Sequence, residues 1–207
     1  MKILKNTIKY SFIILLIAIF ALIFTRIYIF SYYPKLMKSF IWNNAVESAL
    51  GNETTGEVFT YKPPTAYDNA KSSNFFCDYI MIVPKAGQLQ ITVRANKSLM
   101  PKFAEVFELD SIPEYHDITF DFSLVDNDGN HYPLSFKKQD SAYMYYYERL
   151  VFDEIPFDDI DSLYLEIYTG ENPDYSDNPF TSLYVYDKQV PRKDYKLSKS
   201  ERTMPES

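Results

Sequence analysis

The sequence predicts an all-β fold, an antiparallel β-sandwich of jelly-roll type, carried behind an N-terminal transmembrane helix and a juxtamembrane helix. Three observations lead there. Beyond residue 56, short runs of alternating apolar and polar residues recur between turn-forming clusters, at 57–62, 75–83, 88–95, 117–125, 131–137, 143–152, 163–168 and 182–187. That is the pattern of half-buried strands, and their number and spacing suit two packed sheets. Nineteen tyrosines against one tryptophan also favour strands, because the tyrosine ring is apolar while its hydroxyl needs a partner. The third observation is an uncharged apolar run, Tyr10 to Thr25, close to the N-terminus.

That run is shorter than the roughly 20 residues a span requires. Its flanks supply the rest: Lys9 and Arg26 can extend their charges toward headgroups, and Tyr28, Tyr32 and Tyr33 form an aromatic belt. A single helix of residues 8–30 follows. A cleaved signal peptide has the same basic start, but Ala18 and Ala21 lie three apart rather than two and bulky residues fill 22–24, so no A-x-A site follows the run. Lys2, Lys5 and Lys9 precede the span, and Arg26, Lys35 and Lys38 follow it. This short basic N-terminus, leading directly into the apolar run, places the N-terminus in the cytoplasm and the domain outside it, at the cell membrane.

Four segments result: residues 1–33 (cytoplasmic N-terminus and anchor), 34–50 (juxtamembrane helix), 51–187 (β-sandwich) and 188–207 (disordered tail). Pro34 suits a first helical turn, Gly51 a helix end, and Leu36, Met37, Phe40, Ile41 and Ala45 form an i, i+4 stripe. The helix either continues the anchor as a stalk or lies on the membrane. The sheet domain is therefore expected to fold from residue 51. Trp42 packs against this stripe or sits at the interface. "KSLMPKFAEVFEL" adds one or two helical turns, and the tail has almost no large apolar residues.

Charge narrows the partners. All 28 acidic residues lie beyond residue 46, against 15 of the 21 basic ones, so the domain surface repels phosphates and nucleic acid is excluded. Cys77 is the only cysteine, which rules out an intrachain disulfide and makes it a plain strand residue. No phosphate loop, G-x-S-x-G, H-E-x-x-H or paired C-x-x-C occurs in the chain.

The stretch "FSLVDNDGNHYPLSF", residues 122–136, admits a calcium loop or a hairpin. A calcium loop of the helix-loop-helix kind needs D-x-[DN]-x-[DN]-G and a carboxylate six positions after the glycine. Here Asp126 is three residues before Gly129, and Ser135 holds the sixth position after it. The hairpin with Asn127, Asp128 and Gly129 as its loop instead sets Leu124 against Tyr132, Phe122 against Leu134 and Phe120 against Phe136. Pro133 then requires an edge strand or a bulge. His131 falls opposite Val125, far along the strand from His116, so the two histidines cannot share a metal.

Two constellations remain. In "YMYYYERL", alternation puts Tyr143, Tyr145, Tyr147 and Arg149 on one face, and Met144, Tyr146, Glu148, Leu150 and Phe152 on the core side. The tyrosine row, joined by Tyr164, Tyr184 or Tyr186, is either a platform for sugar rings or a partner protein, or ordinary outer-face packing. The loops holding Asp153, Glu154, Asp158, Asp159, Asp161, Glu171, Asp174 and Asp177 offer oxygen ligands for a structural calcium, with a solvated acidic rim as the alternative. No other cofactor is indicated. The expected role is a membrane-anchored, extracytoplasmic, non-catalytic interaction module, an accessory of an envelope assembly with an unknown protein partner. The alternative is a carbohydrate-binding sandwich whose partner is a glycan.

Overall fold

The computed structural model describes residues 2–51, 57–63, 74–169 and 179–202. The chain forms two units, Met1–Tyr33 and Pro34–Ser207. The first is helix α1 (Lys2–Ser31). Its apolar stretch Lys9–Phe30 is 22 residues long, about 33 Å at 1.5 Å per residue, which matches a hydrocarbon core of roughly 30 Å. Apolar side chains point outward on every side of it, so no face is suited to water. Among the described residues, one helix is thus long and apolar enough to cross a membrane.

The second unit is mostly β. Its strands are β1 (Phe59–Tyr61), β2 (Phe75–Val83), β3 (Gln88–Asn96), β4 (Phe120–Asp126), β5 (His131–Tyr132), β6 (Leu134–Ala142), β7 (Tyr145–Phe152), β8 (Ser162–Thr169), β9 (Thr181–Asp187) and β10 (Lys193–Asp194). They make two antiparallel sheets, one ordered β10, β1, β2, β3, β7, β6 and the other β5, β4, β8, β9. β1, β2 and β3 are consecutive neighbours in the first sheet, and the chain then passes from one sheet to the other after β3, β5, β7 and β9. β2 fills the predicted range. β4 starts three residues later than predicted because Tyr115–Asp117 close into a 3-10 turn held by a reciprocal Glu114 and Asp117 capping box.

Pro133 divides the predicted strand 131–137. The hairpin register Leu124–Tyr132 and Val125–His131 forms as expected, but proline cannot continue the ladder. The chain leaves the edge of one sheet at Tyr132 and joins the edge of the other at Leu134. The crossover between sheets therefore falls at Pro133. Phe122 and Phe120 do not meet Leu134 and Phe136; the latter two pair with Phe152 and Val151 across a bulge.

One hydrophobic cluster joins the sheets, with Ile91 and Phe152 from the first and Phe122 and Leu165 from the second among its members. β8 alternates buried Leu163, Leu165 and Ile167 with half-buried Tyr164 and Glu166, and only Tyr168 near its end is buried on the other face. β3 differs: Gln88 to Val93 are all 0% exposed. A strand buried on both faces needs a cover on each, and residues 34–50 supply the second.

This overturns the single helix expected there. Residues 34–50 form two short helices, α2 (Lys35–Lys38) and α3 (Asn44–Leu50), joined by extended chain. Asn43 ends the extension by capping α3, its side chain accepting from the Val46 N–H, and Gly51 closes α3 at φ +52°. Phe40, Trp42, Val46 and Leu50 pack with Val58, Met81 and Val83 into a second hydrophobic cluster. Trp42 is 4% exposed, so it is a core side chain. The segment is neither a stalk nor a membrane-lying helix but part of the domain.

The tail is also more ordered than expected. β10 pairs with β1, the Tyr195 N–H donates to the Val58 carbonyl at 2.8 Å, and Tyr195 and Leu197 pack on the second cluster. Two well-placed apolar side chains suffice where a hydrophobic surface awaits them. The helical turn after β3 appears as α4 (Leu99–Val106).

Candidate functional site

The strand alternation predicted for "YMYYYERL" is real, yet its outer face is not a surface. Tyr145, Tyr147 and Arg149 are 3%, 1% and 0% exposed. Only Tyr143 is open, in the β6–β7 turn at φ +53°. The row expected to bind a ligand is therefore interior, and Arg149 explains part of this. Its Nη1 donates to Thr92 Oγ1 at 3.1 Å, and its Nη2 to the Ser39 carbonyl at 3.0 Å and to Gln90 Oε1 at 2.9 Å.

These bonds belong to a seam. Thr92 Oγ1 donates to the Met37 carbonyl, Gln90 both donates to the Ile41 carbonyl and accepts from its N–H, and Gln88 Nε2 donates to Asn43 Oδ1. Residue 37 at the end of α2 and alternate residues 39, 41 and 43 of the extended chain thus meet side chains of the sheet, which stand in for a backbone ladder and satisfy buried polar groups. No carboxylate lies within ion-pair range of Arg149 among the described residues. Burial lowers its pKa to about 10, so it stays a cation at neutral pH, held by neutral oxygens.

The acidic loop after β7 does not converge. Ile155, Phe157 and Ile160 are buried pegs, and the acids between them point apart. Asp153 Oδ1 accepts from Gln88 Nε2 at 2.7 Å, extending the seam, while Asp158 and Asp161 meet Lys188 through their backbone carbonyls. Asp158, Asp159 and Asp161 are exposed. Among the described residues, no group of three or more His, Cys, Asp or Glu side chains is placed to hold a metal ion. Glu171, Asp174 and Asp177 lie outside the described residues.

The 126–130 turn is the three-residue loop that the hydrophobic pattern selects. Asp126 N–H donates to the Asn130 carbonyl, and Gly129 takes φ +84°. Asp126 Oδ1 accepts from the N–H groups of Asp128 and Asn130, and Oδ2 from Asn130 Nδ2 and the Tyr132 hydroxyl. Desolvation raises this carboxyl's pKa, but bonds from Asn130, Tyr132 and Asp128 outweigh it and hold the pKa at about 2. Both oxygens are committed to protein donors.

The histidines stay apart. His131 Nδ1 bonds Ser123 Oγ at 2.7 Å beside that turn. His116 lies in the 3-10 turn preceding β4, between Glu114 and Asp117. Cys77 is half-buried in β2.

Sequence reasoning missed Glu148. It faces inward from β7, 2% exposed, with Oε1 accepting from the Tyr115 hydroxyl and from Gln139 Nε2, each at 3.1 Å. Oε2 is buried without a partner. Desolvation raises its pKa, against smaller opposing effects of Lys137, Tyr115 and Gln139, to about 7. Tyr115 and Gln139 also line a half-open cleft of about 240 Å³ with His116, Asp140, Ser141 and Tyr146, and the Tyr115 ring stacks on Tyr146 at 4.2 Å. As one of 28 acids, Glu148 carried no signal of its own. It can hold or release a proton, but its two donors stand on the cleft side of it.

Beside the cleft runs a long, largely exposed edge strand. β6 is nine residues long and ends its sheet. Residues 137–141 are exposed, and one edge of the strand has no strand neighbour among the described residues. On the outer face of the second sheet, Tyr164 and Tyr184 are half-buried, with ring centroids 5.0 Å apart and planes tilted 46°. No family model, curated protein or solved structure matches this chain.

Proposed function

We propose that the protein is a single-pass membrane protein whose two sheets stack as a β-sandwich on the extracytoplasmic side. There it serves as a non-catalytic interaction module, an accessory of an envelope assembly. The side is read from the basic residues that precede the apolar run and the acidic balance of the chain after it. The carrying observation is β6: a nine-residue edge strand offers backbone groups to an added strand, and Lys137, Lys138 and Asp140 protect it from indiscriminate pairing.

The test is a photo-reactive side chain at Lys138, or at Ser182 on the second sheet, in the full-length protein in its native membrane. A discrete protein adduct from position 138 and none from 182 supports strand addition at β6. Adducts from neither position would sink the interaction reading. A second reading, carbohydrate binding, now rests on Tyr164 and Tyr184, since Tyr145 and Tyr147 are interior. It expects retention of the full-length protein on a glycan support that Tyr184→Ala abolishes.

A further inference from the structure

The β6–β7 hairpin turns through a two-residue loop, Tyr143 and Met144, with Ala142 opposite Tyr145. In such a hairpin the closing pair exchanges backbone hydrogen bonds, and the direction of these groups then alternates along the strand. Phe136, Lys138, Asp140 and Ala142 therefore turn their N–H and C=O groups to β7, while Lys137, Gln139 and Ser141 turn theirs to the open edge. Two bonds agree with this assignment. The Lys97 N–H donates to the Met144 carbonyl at 2.9 Å, so Met144 faces β3 and Tyr145 faces β6. The Ser141 N–H donates to the side chain of its neighbour, Asp140 Oδ1, at 2.7 Å, and so not to β7.

The side chains along that edge follow a self-complementary order. On one face stand Phe136, Lys138, Asp140 and Ala142, the middle two exposed and the outer two half-buried. The face reads apolar, basic, acidic, apolar. Laid antiparallel against a copy of itself about a two-fold axis at Gln139, it sets Phe136 against Ala142 and Lys138 against Asp140, each pair occurring twice. The same axis pairs Gln139 with itself and Lys137 with Ser141, the three residues whose backbone groups face outward. Moving the axis one residue either way keeps the backbone match but sets Lys138 against Lys138, or Asp140 against Asp140, and like charges directly opposite destabilise a pair.

We propose that β6 pairs with β6 of a second copy of this chain, antiparallel about Gln139, so that two six-stranded sheets join edge to edge. The inference rests on the reading of β6 as a strand-addition site and names its partner. The backbone ladder and the Phe136–Ala142 contacts hold the pair. The exposed ion pairs contribute little strength and instead choose the register. On pairing, the Ser141 N–H leaves Asp140 for the Lys137 carbonyl of the second copy, which frees the Asp140 carboxylate to meet Lys138.

The test uses the full chain, co-expressed with two different tags and captured through one of them from native membranes in mild detergent. The second tag should follow. Lys138→Glu or Asp140→Lys, carried by both copies, should lower its recovery several-fold, and the two substitutions together, which exchange the charges, should restore it. Both side chains are exposed, so melting temperatures should match across the set. With Cys77→Ser, Gln139→Cys should link two copies by a disulfide, since directly opposed Cα atoms lie about 5.5 Å apart in a hydrogen-bonded pair. Ser182→Cys on the other sheet should not. The charge exchange is read without a cysteine, so it decides the matter even where Gln139→Cys, which gives up the bond to Glu148, folds poorly. Recovery unchanged in the single variants places the association elsewhere, α1 included, and overturns the proposal. Loss that the exchange fails to restore rejects the register and the pairing with it. No recovery of the unaltered second copy also overturns it. A photo-adduct from position 138 to a different protein would then keep strand addition at β6, and no adduct at all would sink both.

Discussion

Arg149 Nη2 donates to the carbonyl of Ser39 at 3.0 Å across 110 residues of sequence. This bond, with those of Thr92, Gln90 and Gln88, makes residues 34–43 part of the sheet domain. Removing the segment would uncover Met81 and Val83 and orphan a buried cation, a combination of lost apolar burial and unsatisfied polar groups. A chain starting at Pro34 should therefore unfold cooperatively, and one starting at residue 51 should not. Equal melting behaviour by circular dichroism would contradict the role assigned to the segment.

Arg149→Met separates the seam from the apolar cover. It fills much of the same volume but leaves the Ser39 carbonyl without its guanidinium donor and Gln90 Oε1 with the Ile41 N–H in place of two donors, a loss of about 1–3 kcal/mol. Hydrogen exchange should show the Ile41 amide, which donates to Gln90 Oε1 at 2.9 Å, losing protection more than amides of β8. Unchanged protection at Ile41 would mean the apolar cluster alone holds the segment.

Part of this architecture was legible in the residues. The bounds of β2, the loop at Asn127 to Gly129 and the pairing of Leu124 with Tyr132 follow from local period and turn chemistry, which depend on near neighbours. The alternation of Tyr145, Tyr147 and Arg149 was legible too, but what covers a face is decided by chain 100 residues away. Phe40, Ile41 and Trp42 are buried consecutively, a run that fits helix or extended chain equally, so the break at Asn43 stayed hidden. Glu148 owes its raised pKa wholly to tertiary burial, which no sequence spacing encodes.

Glu148 sets a falling limb in stability against pH. Its folded pKa, about 7, lies above the ordinary glutamate value, so between roughly pH 4.3 and 7 the folded state holds a proton the unfolded chain has released. Stability conferred by that proton is complete below this window and is lost as pH rises through it. Glu148→Gln should flatten the decline, seen as melting temperatures recorded across those pH values. A decline of equal size in the variant would assign it to other groups.

The turn gives the opposite sign. Asp126, held at about pKa 2, is depressed below the unfolded value near 3.9, so its stabilisation is present above pH 4 and disappears as pH falls toward 2. Asp126→Asn should cost about 1–3 kcal/mol at neutral pH and shrink this acid limb. Gly129 has open space where a Cβ would sit, so Gly129→Val tests the backbone alone, with strain of about 1–2 kcal/mol at a positive φ. The Asp128 side chain is exposed and touches only Asn127, so Asp128→Ala should change little. Since four protein donors occupy Asp126, none of the melting temperatures should differ between calcium and chelator. A calcium-dependent rise that vanishes in both Asp126→Asn and Asp128→Ala would instead make this loop a cation site and displace its reading as a hairpin turn.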